Sequence, residues 1–337
     1  MQFVGQALMA TIKDVAKRAG VSVGTVSRVL SNNPSVTSKM REAVGEAVAA
    51  LGYRPNNLAR GLRRHRTNMI ALVLPDITNP YFSELAQRIE AAAYSYGHLV
   101  VLADTHGDPA REEQQILGLR AHLPAGFLII PVNAHSLSSL TGSIRTIALD
   151  RPYGNHPFVA VDHYAGGELA ARHLLGLGHR KIAYISGPSN LTISAERRKG
   201  FLDYCQRAIQ SGEAQMPMPE LLEAGFDYNS GEALAAQLFM RKREELPTAI
   251  AASSDQQAIG IMRGASDYGI SIPRDVSIIG FDDIPLARLT TPRLSTIVQP
   301  VKAIAENAVV ALLGTDVPQR SILLTPTIKL RETTIKL

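Results

Sequence analysis

The chain holds one cysteine, no tryptophan and no long apolar run. A lone Cys205 excludes an internal disulfide and any multi-cysteine metal site, and it fits a reducing compartment. No apolar stretch approaches the roughly 18 residues that a membrane helix needs. Residues 1 to 8 have neither a basic start nor a long apolar segment, so a secretory leader is not expected and a cytoplasmic location is. Also missing are Gly-x-x-x-x-Gly-Lys-Ser/Thr, Gly-x-Ser-x-Gly and, among nine histidines, any His-Glu-x-x-His. Gly20 and Gly24 fall in a helical hairpin rather than after a strand, and His179 reads as a turn before a strand. These absences argue against an enzyme and against a cofactor or metal.

What is present is unevenly placed. A length of 337 residues suggests two to three domains. Residues 1 to 66 carry eleven Lys and Arg against three Asp and Glu, a net +8. The rest of the chain carries 24 against 27, a net −3. A basic excess confined to a small segment is the footprint of a phosphate-binding module.

Within that segment, Thr11 and Asp14 form a capping box ahead of a helix whose Val15, Ala16 and Ala19 share a face. Gly20 ends this helix, and Ser22 caps a second with Val26, Val29 and Leu30 inward. Two short helices joined by a tight turn containing Gly make a helix-turn-helix. Thr37 caps a third helix with Met40, Val44, Ala47, Val48 and Leu51 on one face, and Gly52 closes it. The second helix can lie in a DNA major groove, where Arg28 would fork onto guanine and Thr25 and Ser27 suit phosphate oxygens.

Residues 10 to 66 resemble the headpiece of the LacI/GalR (lactose-repressor) family. The residues that carry the likeness are Ala10 to Ala16, Gly20 to Ser22, Thr25 to Leu30 and Leu51 to Asn56, and Met9 just before them is a second candidate start. The resemblance implies base reading by Val23, Gly24 and Arg28, with Val23 on a thymine methyl, and phosphate contact by Thr25, Ser27 and Tyr53. Gly24 departs from relatives that carry a reading side chain, and costs about 1 kcal/mol of helix propensity. Residues 56 to 66 match the family's hinge, too poor in apolar positions to be helical alone in water. On operator DNA the resemblance implies a minor-groove hinge in which Leu62 wedges into a central CG step beside Ala59 and Arg63.

From Met69 onward, short apolar runs alternate with helical patterns, which predicts parallel sheets covered by helices, with ligands beyond strand carboxyl ends. The expected fold is therefore a small all-α helix-turn-helix headpiece (10–55), a hinge (56–66) and an α/β two-lobed effector domain (67–337). That last domain is similar to periplasmic binding proteins. Its first subdomain is expected at about 67–161 plus 300–319, and its second at about 162–299 plus 320–337. No heptad tail follows, so a homodimer is expected.

The resemblance places a small effector between the subdomains, held by Tyr81, Phe82, Asp150, Arg197, Phe226, Asp255 and Asp282. Carboxylates, an Arg fork and aromatic faces suit a sugar or sugar derivative. Leu191 and Ile193 are apolar where a purine-binding relative is polar or cationic, while Asp162-His163 and Ser254-Asp255 depart from the common Asp-Asn and Asn-Asp. The function implied is a repressor of transcription, bound to double-stranded operator DNA as a dimer and switched by effector. The alternative, a solute-binding protein of a sugar transporter, shares the lobes but needs a leader and no headpiece.

Overall fold

The computed structural model describes residues 10–30, 33–53, 67–132, 138–315 and 321–337. The chain forms two compact units, Met1–Thr67 and Asn68–Leu337. The hinge residues Ala59, Leu62 and Arg63 lie outside the described residues.

In the first unit, α1 (Ile12–Ala19), α2 (Val23–Leu30) and α3 (Ser38–Leu51) follow from their caps. The Thr11–Asp14 capping box is closed in both directions, and Gly20 takes φ 64° to end α1. Ser22 Oγ accepts from Thr25 N at 3.1 Å, and Thr37 Oγ1 accepts from Met40 N at 3.4 Å. Val15, Ala16, Val26, Val44 and Ala47 form the core, with Val29, Leu30, Val48 and Leu51 packed on it. Met40 is a correction: expected on the buried face, it stands 41% exposed in the first turn of α3, beyond the reach of this small core.

The second unit has two six-stranded sheets. The first is built from β1 (Met69–Leu74), β2 (Leu99–Asp104), β3 (Gly126–Ile129), β4 (Thr146–Leu149), β5 (Phe158–Val161) and β11 (Ile322–Leu324). Its order is β11-β5-β4-β3-β1-β2, all parallel, with α4 (Pro80–Ser95), α5 (Pro109–Arg120) and α10 (Val301–Leu313) as its helices. The second sheet has β6 (Ile182–Ser186), β7 (Glu220–Glu223), β8 (Ala249–Ala252), β9 (Ser277–Asp282), β10 (Ser295–Val298) and β12 (Thr327–Lys329). Its order is β12-β10-β9-β8-β6-β7, with only β12 antiparallel.

The chain passes between lobes after β5, after β10 and after β11. The last passage differs from the expectation that residues 320–337 belong to the second subdomain. Ile322 pairs with Val159 and Leu324 with Val161, so β11 completes the first sheet and the crossing falls at residues 325–326. The physical reason is edge pairing, extended by Asp162 N donating to Leu324 O at 2.8 Å.

Four helices clothe the second sheet: α6 (His163–Gly176), α7 (Thr192–Gln210), α8 (Tyr228–Phe239) and α9 (Asp255–Asp267). α6 and α7 approach until a Cβ on Gly167 would stand 2.1 Å from Arg197 O, and one on Gly200 2.0 Å from Tyr164 O. Only glycine allows that approach, and it brings the Arg197 turn against the start of α6. Among the described residues no helix is long and apolar enough to cross a membrane.

Candidate DNA interface and effector cleft

On α2, Gly24 and Arg28 are exposed, while Val23, Thr25 and Ser27 are half-buried. Val23 also packs against the headpiece core, which leaves only part of its surface open. The Thr25 hydroxyl lies 2.9 Å from Ser22 Oγ. Arg28 Nε donates to Gly24 O at 3.3 Å, which lays the guanidinium along the helix face. A Cβ on Gly24 would meet Ser22 Oγ at 3.7 Å and Arg28 Nη2 at 3.9 Å, both ordinary contacts. Packing within the headpiece therefore does not demand glycine there. Tyr53 follows the αL Gly52 and packs half-buried against the same core.

In the second unit, a cavity of about 910 Å³ lies beyond the carboxyl ends of the strands. Tyr81, Phe82, Asp150, Arg197, Phe226 and Asp282 all line it. The helix start at Asn79–Pro80 sets Tyr81 and Phe82 in place, the Asn79 side chain accepting from Tyr81 N at 3.0 Å. Asp150 (φ 64°) and Asp282 (φ 119°) follow β4 and end β9 in the left-handed region that side chains resist, a strain that their contacts with Arg151 and with Gln299 and Arg197 offset.

Asp255 is the exception among the expected cleft residues. It is fully buried and absent from the lining, with Oδ2 accepting from Ile284 N at 2.9 Å and Oδ1 2.5 Å from Thr296 Oγ1. Ser254, one residue earlier, is the helix cap, which turns Asp255 inward behind the cleft. Burial, then the charge of Asp282, push its carboxyl well above the ordinary range.

The cleft's charges form one chain. Arg151 Nε and Nη2 lie 3.1 and 3.0 Å from Asp150 Oδ2. Arg197 donates from Nη1 to Ser253 O at 2.5 Å and from Nε to His163 Nδ1 at 3.1 Å, with Nη2 3.4 Å from Asp282 Oδ1. Its guanidinium stands 3.8 Å from the Phe281 ring centre and 5.7 Å from that of Phe226. Gln299 Nε2 donates to Asp282 Oδ1 at 2.7 Å. Burial works against the Asp150 carboxylate, yet Arg151 and a hydrogen bond from His163 hold it below the usual range.

Burial pushes Asp282 up to about 6, against the pull of Arg197 and Gln299. The folded value thus exceeds the ordinary 3.8. Protonated Asp282 favours the folded state, so its contribution is full below the ordinary value and is lost as pH rises through about 6. Asp282→Asn keeps an oxygen for Gln299 and removes the titration. Its stability relative to wild type should improve by on the order of 1–3 kcal/mol between about pH 4 and pH 7, read by urea unfolding. Parallel pH profiles for the two proteins would show that Asp282 does not titrate there.

Two buried hydroxyls of the cleft lining, Tyr81 OH and Tyr228 OH, and Gln299 Oε1 behind Asp282 have no hydrogen-bond partner among the described residues. Buried polar groups without partners are costly, and here they mix donors with acceptors, as a polyhydroxylated ligand requires. Arg151, His163, Tyr228 and Gln299 were not singled out from sequence as site residues. Their signal was positional: Arg151 adjoins Asp150 and Tyr228 starts a helix at the cleft, while His163 and Gln299 stand behind the lining, against Arg197 and Asp282.

Residues 11–56 match the family described as bacterial regulatory proteins, lacI family, and residues 171–334 match a periplasmic binding protein-like domain. The HTH-type transcriptional regulator DegA of Bacillus subtilis is 38% identical over 305 residues, covering 88% of each chain. The ribose operon repressor of Halalkalibacterium halodurans is 37% identical, covering 87% of this chain and 86% of its own. The solved lac repressor dimer bound to operator and the anti-inducer ONPF superposes with TM-score 0.86 at 27% identity, covering 97% of this chain and 100% of that one. Headpiece, two-lobed domain and near full-length relatives agree, and the chain belongs to the LacI/GalR family of DNA-binding transcriptional regulators.

Proposed function

We propose that the protein is a homodimeric repressor that binds a pseudo-palindromic operator and is switched by an uncharged polyhydroxylated effector, a sugar or close derivative, held between its lobes. The observation that carries this reading is the cleft itself. Its strongest charges are paired internally, Asp150 with Arg151 and Arg197 with Asp282, while hydroxyls and amide oxygen stand unpartnered around them. A phosphate or sugar acid would have to break those pairs; a neutral polyol adds to them. The carboxylates serve as hydrogen-bond acceptors, with no catalytic role, and the protein acts on DNA in the cytoplasm.

Dimerisation is supported by the edge strand β2, where Leu99, Val101 and Leu102 are exposed beside Tyr94 and Tyr96. An open edge with exposed apolar side chains invites a second copy, and a two-fold dimer matches a pseudo-palindrome. Effector that prefers one arrangement of the lobes changes operator affinity, and operator changes effector affinity by the same factor. Ala59, Leu62 and Arg63 are the proposed minor-groove contacts through which the change is felt.

Two measurements test the reading. Thermal shifts against sugars, polyols, sugar acids and nucleosides should pick out a neutral sugar, with about 2.7 kcal/mol of stabilisation at a hundredfold excess over Kd. That sugar should then alter operator binding; a hit confined to sugar acids or nucleosides would overturn the ligand class. For the headpiece, Arg28→Ala should cost about 1–3 kcal/mol per half-site and relax preference at one base pair. Equal losses on every DNA sequence would assign Arg28 to phosphate alone.

A further inference from the structure

His163 opens α6 just after the chain's first passage between lobes, and it is 2% exposed. Its ring nitrogens face different lobes. Nδ1 lies 3.1 Å from Arg197 Nε in the second lobe, and Nε2 lies 3.0 Å from the carbonyl oxygen of Asp150 in the first. A guanidinium only donates and a carbonyl only accepts, so these contacts together fix one tautomer, with the proton on Nε2 and the lone pair on Nδ1. The imidazole therefore joins a buried line from the Asp150 carbonyl through Arg197 to Asp282 and Gln299. Gln299 itself stands on the second passage between lobes, so the line spans two of the three crossings.

We propose that His163 is a positioning residue that locks the Arg197 guanidinium to the opposite lobe, and that a proton on Nδ1 releases the lock. The inference rests on reading the cleft as the effector site, since Arg197 is the fork that site uses. Once Nδ1 carries a proton, the ring has two donors and no acceptor, and Arg197 Nε–H faces a like charge without a partner. The charged groups around the ring are Asp150 and Arg151 after β4, Asp162 ahead of it, Glu196 and Arg197 on α7, and Asp282 ending β9. Of the two hydrogen bonds, only that to Arg197 must break, because Nε2–H can still donate to Asp150. A proton on Nδ1 thus frees Arg197 Nε–H; Asp282, pushed up to about 6, also takes up a proton on acidification, and Asp282→Asn separates the two effects.

The test uses the ligand-free, full-length protein labelled with nitrogen-15. An N–N coupling across Arg197 Nε–H and His163 Nδ1 is expected. The Arg197 Nε–H should be protected from exchange relative to a free arginine at the same pH, and should lose about tenfold or more of that protection on acidification. His163→Asn places a non-titrating oxygen near the Nδ1 position and should keep the protection at every pH. His163→Gln reaches toward the Nε2 position, retains the Asp150 link and should lose the protection at every pH. Full protection in His163→Gln, a proton on Nδ1 at neutral pH, or wild-type protection unchanged by acid would overturn the proposal. If either variant fails to fold, the titration in Asp282→Asn, where that second proton acceptor beside Arg197 is gone, decides. No effector enters the experiment, so its failure leaves the effector reading standing, and a blank ligand screen leaves the lock standing.

Discussion

Replacing Arg197 with Met is expected to abolish the effector response and to cost about 3–5 kcal/mol of stability, the toll of removing one partner from a buried ion pair. Arg197 is 3% exposed, and its guanidinium serves four neighbours at once: Ser253 O, His163 Nδ1, Asp282 and the Phe281 face. Met refills much of the stem volume, so the loss is mainly polar rather than a cavity. Asp282 is left beside Gln299 with no cation at hand, and its carboxyl, already pushed up to about 6, should take a proton more readily still. The double variant Arg197→Met with Asp282→Asn should therefore recover part of the stability while the response stays lost. Urea unfolding and operator titration with the sugar found by thermal shift separate the two effects. A single variant that still releases or tightens on operator with that sugar would remove Arg197 from the effector site.

The headpiece was legible in the sequence because its determinants are local. Thr11 with Asp14, Gly20, Ser22, Thr37 and Gly52 act within four residues of themselves, and each does in the structure what its spacing predicts. Met40 was misplaced because helix period identifies a face but not how far a small core reaches along it. The long buried strands could be read from apolar runs; the edge strand β7, Glu-Leu-Leu-Glu, could not, since its pattern is that of a solvated turn. β11 was assigned to the wrong lobe because which edge a three-residue strand joins is decided by a partner some 160 residues away. The cleft residues came from family likeness, and six of seven meet in one cavity. His163 stood in view as a departure from Asp-Asn, yet its meaning depends on two contacts, 13 and 34 residues distant, that no spacing rule links.

Asp255→Ala should destabilise the protein by about 2–5 kcal/mol, since it leaves buried donors unsatisfied and opens a small void, without changing the affinity for effector. The carboxyl bridges Ile284 N and Thr296 Oγ1 behind the cleft, so no effector in the cavity reaches it. Asp255→Asn sharpens the argument. Burial and the nearby Asp282 charge raise the Asp255 carboxyl well above its ordinary range, which favours the neutral acid in the folded state. A neutral acid accepts from Ile284 N with one oxygen and donates to Thr296 Oγ1 with the other, whose hydroxyl then turns to Ile297 O at 3.3 Å. An amide makes the same two contacts, oxygen to Ile284 N–H and NH2 to Thr296, and carries no charge to desolvate. The Asn variant should thus match wild type at low pH. By linkage it should gain on wild type as pH rises through the raised folded pKa of Asp255, because only wild type must then ionise a buried carboxyl or hold its proton against the solvent. An Asn variant less stable than wild type at neutral pH would mean that Asp255 is ionised, with Thr296 and Ile284 both donating to it. An Asn variant of unchanged stability that no longer binds the sugar would return Asp255 to the effector site, where family likeness had put it.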